Sequence, residues 1–233
     1  MSFSVIIPSK NAGNLFACVD AIRQCEPGFP SDRIIAVDDG LVGVPDGIRV
    51  VPGAKPFIFS RNCNLGIMAA NPQMNIQRHK SDSVDVILLN DDALLKTPGG
   101  FTALAAVAAD HPEYGVISGV TNSVGNRAQL QKDIGLREER RMVCFICAYI
   151  PRATFERVGL LDERYVDYGM DDDDYCFSVR AAGLKIGIFD GCFVDHLSLK
   201  SSFRGPAGRG GNFMPNLARF KQKWGMDNWG HPA

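Results

Sequence analysis

The chain has 233 residues, of which 45% are hydrophobic and 22% are charged, and its formal net charge at pH 7 is −1. This balance is ordinary for a globular protein: it excludes disordered, collagen-like and coiled-coil chains and gives no sign of bulk attraction to nucleic acid or membranes. No apolar run reaches the roughly 18 residues that span a bilayer, and the seven cysteines form an odd, scattered set, so we expect a cytoplasmic protein without a transmembrane segment.

The first half of the chain alternates apolar strands with helices. Its strands are apolar throughout rather than alternately polar, which is typical of a mostly parallel sheet covered on both faces. In chain order, the pattern predicts a strand over residues 4–8, a helix around 15–22, strands over 33–37 and 48–51, a helix within 60–70, a strand over 84–89 and a helix over 101–109.

The second half is less regular, and a polar stretch over 121–141 is predicted to be a loop excursion. Aspartate suits the position before a helix, so we expect Asp174 to cap a helix over 175–182. The stretch 200–223 is basic, with a glycine-rich middle. The remaining predicted elements are strands over 115–120, 142–150, 186–189 and 193–195 and a short helix after Pro151.

Aspartates cluster at three points where strands or turns end: Asp38 with Asp39, Asp91 with Asp92, and residues 171–174. In open α/β sheets, ligands bind beyond the carboxyl ends of the strands. Adjacent carboxylates repel by about 1 kcal/mol at 4 Å in water, and a divalent cation such as Mg²⁺ or Mn²⁺ would relieve that repulsion. The clusters therefore predict a cation site for a phosphate-bearing substrate, although each run taken alone also fits a solvated turn.

The loops that usually cradle phosphates through backbone amides are missing from the sequence. There is no GxxxxGK[ST] segment, and no GxGxxG follows a strand. This disfavours P-loop enzymes and dinucleotide oxidoreductases. A bound phosphate would have to be held by a metal and by side chains.

Several segments resemble the GT-A glycosyltransferases and, within them, the inverting family 2. The similar segments are VIIPSKN (5–11), IAVDDG (35–40), SRNCNLGI (60–67), LLNDDA (88–93), VGLLDER (158–164), DDDDYC (171–176) and RAAG (180–183). The resemblance implies an α/β fold: a single GT-A (nucleotide-diphospho-sugar transferase) domain with a mostly parallel central sheet and helices on both faces. The domain would cover residues 1–233, with about 1–110 binding the nucleotide and about 111–225 binding the acceptor.

The resemblance also implies a role for individual residues. Asp92, at the place of the family's DxD motif, and His196 would bind Mn²⁺ or Mg²⁺, although Asn90 stands where that motif begins with aspartate. Asp172 aligns with the catalytic base, although Asp171 stands where the family often has glutamate. A helix-capping Asp172 and a structural His196 remain open alternatives. The implied nucleotide-binding residues are Pro8, Ser9, Asp38, Asp39, Arg61, Asn62 and Asp91.

The implied activity is a metal-dependent transfer of a sugar from a UDP-, GDP- or dTDP-sugar to a hydroxyl group, with inversion (EC 2.4 class). The acceptor would be a glycan, a lipid-linked sugar or another hydroxyl; a nucleic-acid acceptor, which the basic stretch 200–223 could attract, stays open but unsupported. We expect residues 121–141 to choose the acceptor and residues 200–212 to close over the donor. Two other interpretations stay open: a nucleotidyltransferase that forms sugar nucleotides, and a non-catalytic nucleotide- or sugar-binding module.

Overall fold

The computed structural model describes residues 2–72, 84–167, 169–200 and 213–232. Its strands are β1 (Phe3–Ser9), β2 (Ile34–Asp38), β3 (Arg49–Pro52), β4 (Asp85–Leu89), β5 (Leu94–Leu95), β6 (Tyr114–Thr121), β7 (Leu136–Glu138), β8 (Cys147–Ile150) and β9 (Lys185–Asp195). Its α-helices are α1 (Ala12–Cys25), α2 (Phe59–Ala70), α3 (Gly100–Asp110), α4 (Arg152–Val158), α5 (Asp171–Ala181) and α6 (Phe213–Trp224). Within these ranges, no helix is long and apolar enough to cross a membrane.

All of these strands belong to one sheet, in the order β3-β2-β1-β4-β8-β6-β9-β5, with β7 paired to β9. β3, β2, β1 and β4 are parallel neighbours, as their continuous apolar runs predict. β8 runs antiparallel to β4 and to β6, whereas β6 and β9 are parallel and β5 and β7 run antiparallel to β9. The parallel part of the sheet is therefore concentrated in the first half of the chain, and the second half is mixed.

Helices cover both faces of the sheet, which confirms the predicted α/β fold. Successive residues of a strand point to opposite faces, so Val5 and Ile7 belong to one apolar cluster and Ile6 to the other. The first cluster contains apolar side chains of α1 and α3, and the second contains those of α2, α4 and α5. α2 lies so close to β1 that a Cβ on Gly66 would be 2.3 Å from Ile6 Cγ2, a distance that only glycine avoids.

The start of α5 differs from the prediction. The helix begins at Asp171 rather than at residue 175, after Met170, whose φ of 74° is left-handed, and no side chain caps it. Asp174 lies inside the first turn, so its expected role as a cap is wrong. Four aspartates in one first turn are compatible with a helix because the positive end of the helix dipole favours negative charge there.

One long strand, β9, replaces the two short strands predicted over 186–189 and 193–195. Its pairing with β6 shifts register between Phe189 and Phe193, so residues 190–192 form a bulge. The bulge interrupts the apolar pattern without ending the strand. β8 is shorter than the strand predicted over 142–150, because the segment before Cys147 is not part of the sheet.

The last helix packs against the segment before α5. Phe220 of α6 is fully buried in a small apolar cluster with Tyr165 and Met170. The predicted donor-closing segment, residues 200–212, lies outside the described residues except for Lys200. The carbonyl of Lys200 accepts a hydrogen bond from Asn14 Nδ2 at 2.9 Å.

Candidate active site

The carboxyl ends of β1, β2 and β4 meet at one edge of the sheet because these strands are parallel neighbours. Ser9 and Asp38, the last residues of β1 and β2, are in register. β8 begins at the same edge, since it runs antiparallel to β4 and its first residue pairs with the last residue of β4. The backbone N–H of Asn90 donates to the Ile146 carbonyl there at 3.0 Å. We call this the carboxyl edge.

Ser9 and Asp91 contact each other at the carboxyl edge. The Ser9 hydroxyl donates to Asp91 Oδ2 at 2.7 Å, and both residues are buried. Pro8 precedes Ser9 in β1 and is also buried. A groove of about 390 Å³ lies beside the end of β1 and is lined by Lys10, Asn11, Ala12, Gly13 and Val42. The first expected nucleotide-binding loop therefore borders a concave surface.

Asp38 and Asp39 are neighbours with different partners. Asp38 Oδ1 accepts the backbone N–H groups of Gly40 and Leu41 at 2.7 and 2.6 Å, so it shapes the turn after β2. Asp39 is buried, and its Oδ1 lies 2.5 Å from Lys55 Nζ. Lys55 was not among the residues predicted from the sequence. Its position after β3, the parallel neighbour of β2, is the signal that would have placed it at this edge.

Arg61 connects the two halves of the chain. Its Nε donates to Glu163 Oε2 at 3.1 Å, and Asn64 Nδ2 donates to Glu163 Oε1 at 3.0 Å. The Asn64 side chain also exchanges hydrogen bonds with the backbone of Leu161 at 2.9 and 3.0 Å. Glu163 and Asn64 lie in segments that carried the family resemblance, and here they fasten α2 to the segment before α5.

Asn62 combines a structural contact with an unused donor. Its Oδ1 accepts the backbone N–H of Ala54 at 2.9 Å, which holds the loop after β3 against α2. Asn62 Nδ2 and the Ser60 hydroxyl are buried, and in the described part of the chain neither has a hydrogen-bond partner. An unpaired buried polar group costs about 1–3 kcal/mol. A ligand that bonds to these groups would remove that cost.

Asp92 and His196 face each other because a short strand pair brings their segments together. Leu94 of β5 is in register with Asp195 of β9, so the residues just before β5 and just after β9 are adjacent. His196 Nε2 lies 3.2 Å from Asp92 Oδ1. His196 Nδ1 lies 2.8 Å from the Ser123 carbonyl, which can only accept a hydrogen bond, so Nδ1 carries a proton. A neutral ring with this tautomer has its Nε2 lone pair on the side of Asp92, as a metal ligand requires, whereas a doubly protonated ring donates Nε2–H to Asp92.

This arrangement fits a divalent cation. Two ligand atoms at about 2.1 Å from an octahedral cation lie about 3 Å apart, close to the observed Asp92–His196 separation. Metal-binding histidines usually donate their other ring N–H to a carbonyl or carboxylate, as His196 does to Ser123. The described ranges contain no group of three or more His, Cys, Asp or Glu side chains placed to hold a metal. A cation here would therefore share its coordination sphere with water and substrate oxygens.

Asp174 is the structural member of the four-aspartate run. It is buried and accepts hydrogen bonds from Tyr165 Oη at 3.0 Å, Trp224 Nε1 at 2.8 Å and Lys223 Nζ at 2.7 Å. The last two donors belong to the end of α6. Asp174 thus joins α5 to the C-terminal helix.

The other three aspartates of the run have raised pKa values. Burial raises the pKa of Asp171 to about 6. Burial and, after it, the charge of Asp171 raise the pKa of Asp172 well above its usual value. Burial also raises the pKa of Asp173, although Asn228 Nδ2 donates to Asp173 Oδ1 at 3.1 Å and partly offsets the effect. A carboxylate with a raised pKa is a stronger base than an ordinary aspartate.

α5 packs against the segment that leads into β8. The backbone N–H of Val143 donates to Cys176 Sγ of α5 at 3.5 Å. Val143 is three residues before Ile146, whose carbonyl accepts the N–H of Asn90 at the carboxyl edge. The charge of Asp172 also contributes, after burial, to the raised pKa of the Cys144 thiol. We therefore expect residue 172 near the carboxyl edge, although some 80 positions separate it from Asp92 in the sequence.

No protein-family model matches the chain. It is 25% identical over 217 residues to the uncharacterized protein y4gI of Sinorhizobium fredii, an alignment that covers 77% of this chain and 23% of that protein. The chain thus spans about a quarter of the length of this curated relative.

Three solved structures match the fold of this chain at low sequence identity. GalNAc-T7, crystallised with UDP, GalNAc and Mn²⁺, matches with a TM-score of 0.72 at 13% identity, over 96% of this chain and 48% of that one. The mannosyltransferase PcManGT from Pyrobaculum calidifontis, in complex with GDP-Man and Mn²⁺, matches with a TM-score of 0.59 at 17% identity, over 87% of this chain and 58% of that one. S. aureus TarS 1–349 matches with a TM-score of 0.55 at 13% identity, over 83% of this chain and 60% of that one. The chain, which spans about half of the length of these structures, has the fold of the GT-A glycosyltransferases.

Proposed function

We propose that this chain is a metal-dependent glycosyltransferase of the EC 2.4 class. It would move a sugar from a nucleoside-diphosphate sugar to an acceptor hydroxyl with inversion at the anomeric carbon. The observation that carries the proposal is the pairing of Asp92 with His196 at the carboxyl edge. Asp172, whose pKa is raised by burial, adds a candidate general base. The GT-A fold supports the proposal, because GalNAc-T7 and PcManGT share this fold and were solved with a nucleotide and Mn²⁺.

The nucleotide would bind along the ends of β1 and β2 and the start of α2. Asp39 offers a hydrogen-bond acceptor and Lys55 a donor side by side, a combination that suits a base with an N–H next to a carbonyl. This favours a UDP-, GDP- or dTDP-sugar as the donor. The unused Asn62 and Ser60 groups and the side chain of Arg61 lie on the adjacent turn of α2. The remaining members of the proposed donor site are Pro8, Ser9, Asp38 and Asp91.

Asp92 and His196 would hold the cation, Mn²⁺ or Mg²⁺. When bound, the cation supplies a Lewis acid that neutralises the charge developing on the departing diphosphate. The Ser123 carbonyl fixes the His196 ring, and the Asn122 side chain accepts the His196 backbone N–H at 2.9 Å. These contacts orient the His196 ring before the cation and the donor bind, so the side chain loses little conformational freedom on binding.

Asp172 would act as the general base. As the acceptor oxygen attacks the anomeric carbon, the hydroxyl proton moves to the Asp172 carboxylate and the bond from that carbon to the diphosphate oxygen breaks. A single displacement of this kind inverts the anomeric configuration. The raised pKa of Asp172 strengthens it as a base while leaving it ionised at a sufficiently high pH.

The acceptor would bind in the second half of the chain and carry a hydroxyl on a glycan, a lipid-linked sugar or another molecule.

We also propose a cytoplasmic location. All seven cysteines are unpaired, which is typical of a reducing compartment.

The proposal is tested by two measurements on the same protein. Thermal-shift assays with UDP, GDP and dTDP, each with and without Mn²⁺, should show Mn²⁺-dependent stabilisation by one nucleotide, about 2.7 kcal/mol at 100 times its Kd. The matching nucleotide sugar should then be hydrolysed slowly with Mn²⁺. Stabilisation without any turnover would favour the non-catalytic binding module. Release of pyrophosphate from a nucleoside triphosphate and a sugar phosphate would favour the nucleotidyltransferase.

A further inference from the structure

The chain ends in a tight turn over residues 226–232, the C-terminal turn. Met226 and Pro232 form an isolated antiparallel bridge, and the Asp227 N–H donates to the His231 carbonyl at 2.8 Å. The Asp227 carboxylate accepts the backbone N–H groups of Trp229 and His231, both at 2.9 Å. These contacts fix the backbone at the tip of the turn, where Trp229 lies.

The C-terminal turn is docked on the start of α5. Asn228 is buried and donates to Asp173, the residue after the proposed base. The Arg141 guanidinium carbon lies 3.5 Å from the centre of the Trp229 ring and its charge also acts on Asp173. Arg141 therefore covers one face of the indole and connects it to the acidic run.

The two tryptophans of the chain have opposite surroundings. Trp224 is partly buried, donates its Nε1 to Asp174 and packs against Phe177 and Phe220, as an anchoring residue does. Trp229 is 65% exposed although its backbone and one ring face are held in place. Packing in the core therefore does not account for the position of the Trp229 side chain. Rigid exposed aromatics instead give contact area at low entropic cost, which is typical of recognition.

We infer that Trp229 is an acceptor-binding residue that stacks on a sugar ring of a neutral glycan acceptor. The inference rests on the proposed function, because a molecule that reaches both Asp172 and the C-terminal turn is the one that gives its hydroxyl proton to Asp172. The apolar C–H face of a sugar ring complements the open face of an indole. Asp174 is paired with Lys223, but the carboxylates of Asp171, Asp172 and Asp173 disfavour a nucleic acid or an acidic polymer, which lacks the cation that accompanies the donor diphosphate, so a neutral glycan is favoured.

The test uses an array of neutral and acidic oligosaccharides, probed with the full chain in the presence of UDP, GDP or dTDP and Mn²⁺. Hits are titrated calorimetrically with the wild type, Trp229→Ala, Trp229→Phe and Phe16→Ala. Phe16 is a matched control, since it is an exposed aromatic residue on α1. We expect Trp229→Ala to weaken binding of a neutral oligosaccharide at least about tenfold, Trp229→Phe by about threefold or less, and Phe16→Ala not at all.

Nucleotide stabilisation, measured by thermal shift in the same four proteins, should not change and shows that each variant is folded. Equal oligosaccharide binding by wild type and Trp229→Ala would overturn the inference. So would a wild type that binds no oligosaccharide, or acidic ones alone. If no nucleotide stabilises the wild type, the transferase proposal fails, while glycan binding that depends on Trp229 would still support the stacking role.

Discussion

The aspartates at the strand ends and those that open α5 both occur as consecutive residues in the sequence, but their surroundings in the structure differ. Asp91 and Asp39 each have a side-chain partner, the Ser9 hydroxyl and the Lys55 ammonium group. By contrast, Asp172 accepts the backbone N–H of the next residue, and burial beside Asp171 raises its pKa. The first arrangement orients carboxylates, and the second strengthens a base.

The two regions therefore suit different chemical roles. Oriented carboxylates beside a histidine suit the binding of a cation and a charged donor. A carboxylate with a raised pKa suits the removal of a proton from an acceptor hydroxyl. Asp174 shows that position in the acidic run is not sufficient, because its three side-chain donors make it a structural residue.

Replacing the proposed base should have the largest effect. Asp172→Asn keeps the size of the side chain but cannot accept the hydroxyl proton, so we expect kcat to fall by about 10²–10⁴-fold. Stabilisation by nucleoside diphosphate and Mn²⁺ should be unchanged in thermal-shift assays. Asp110→Asn, at the exposed end of α3, is the control and should retain full turnover. Undiminished turnover of Asp172→Asn would remove Asp172 from the mechanism.

The pH dependence of the reaction should report the same residue. Because the pKa of Asp172 is raised, its base form is present at high pH and is lost as the pH falls through that raised value. We expect kcat/KM to drop about tenfold per pH unit below it, with the decline beginning well above the usual aspartate pKa of about 3.9. Rates are measured with Mn²⁺ saturating at each pH, so that weaker binding of the cation at low pH does not add to the decline. An acidic limb near pH 4 would contradict this assignment.

The cation site is tested by His196→Ala. Loss of one of two protein ligands should weaken Mn²⁺ binding by at least about 10–100-fold, the range seen when even an outer partner of a ligand is removed. The readout is the Mn²⁺ concentration that half-saturates the thermal shift with nucleoside diphosphate. His111→Ala, at the end of α3, is the control because its side chain is exposed. Equal Mn²⁺ affinity in the wild type and His196→Ala would show that His196 is a structural histidine.

Asp174→Ala should affect stability rather than chemistry. It removes the acceptor of three side-chain donors and leaves Lys223 without its buried partner. We expect the free energy of unfolding to fall by about 3 kcal/mol, the low end for a broken buried pair because Lys223 keeps partial exposure. Urea denaturation measures this, with Asp20→Asn on the exposed face of α1 as the control. A loss below about 0.5 kcal/mol, typical of surface changes, would contradict the structural role.

The parts of the molecule that the sequence predicts well depend on local patterns. Continuous apolar runs such as residues 4–8 and 84–89 predict buried parallel strands, and aspartates that follow such runs must lie at the carboxyl edge. The parallel part of the α/β sheet and the position of Ser9, Asp38 and Asp91 at one edge follow from these patterns, whereas the GT-A fold was implied by the family resemblance.

The parts that could not be predicted depend on contacts between distant segments. The Asp92–His196 pairing was suggested by family resemblance, but its cause is β5, a strand of two residues that no periodicity reveals. The Asp39–Lys55 ion pair and the Arg61–Glu163 contact likewise join separate loops. The early start of α5 depends on the left-handed Met170, which the packing of that residue against Phe220 helps to fix.

The smallest expected effect distinguishes two buried serines of the proposed nucleotide site, Ser9 and Ser60. Ser9→Ala removes the hydrogen bond to Asp91 and should lower the free energy of unfolding by about 1 kcal/mol without any ligand. Ser60 is equally buried, but its hydroxyl has no partner in the described part of the chain, so Ser60→Ala removes an unpaired buried group and should raise the free energy of unfolding of the free protein by about 1 kcal/mol. If the nucleotide bonds to this hydroxyl, Ser60→Ala should also raise the Kd for nucleoside diphosphate severalfold. Urea denaturation and calorimetric titration separate the two effects, and a Ser60→Ala protein with unchanged nucleotide affinity would exclude the start of α2 from the donor site.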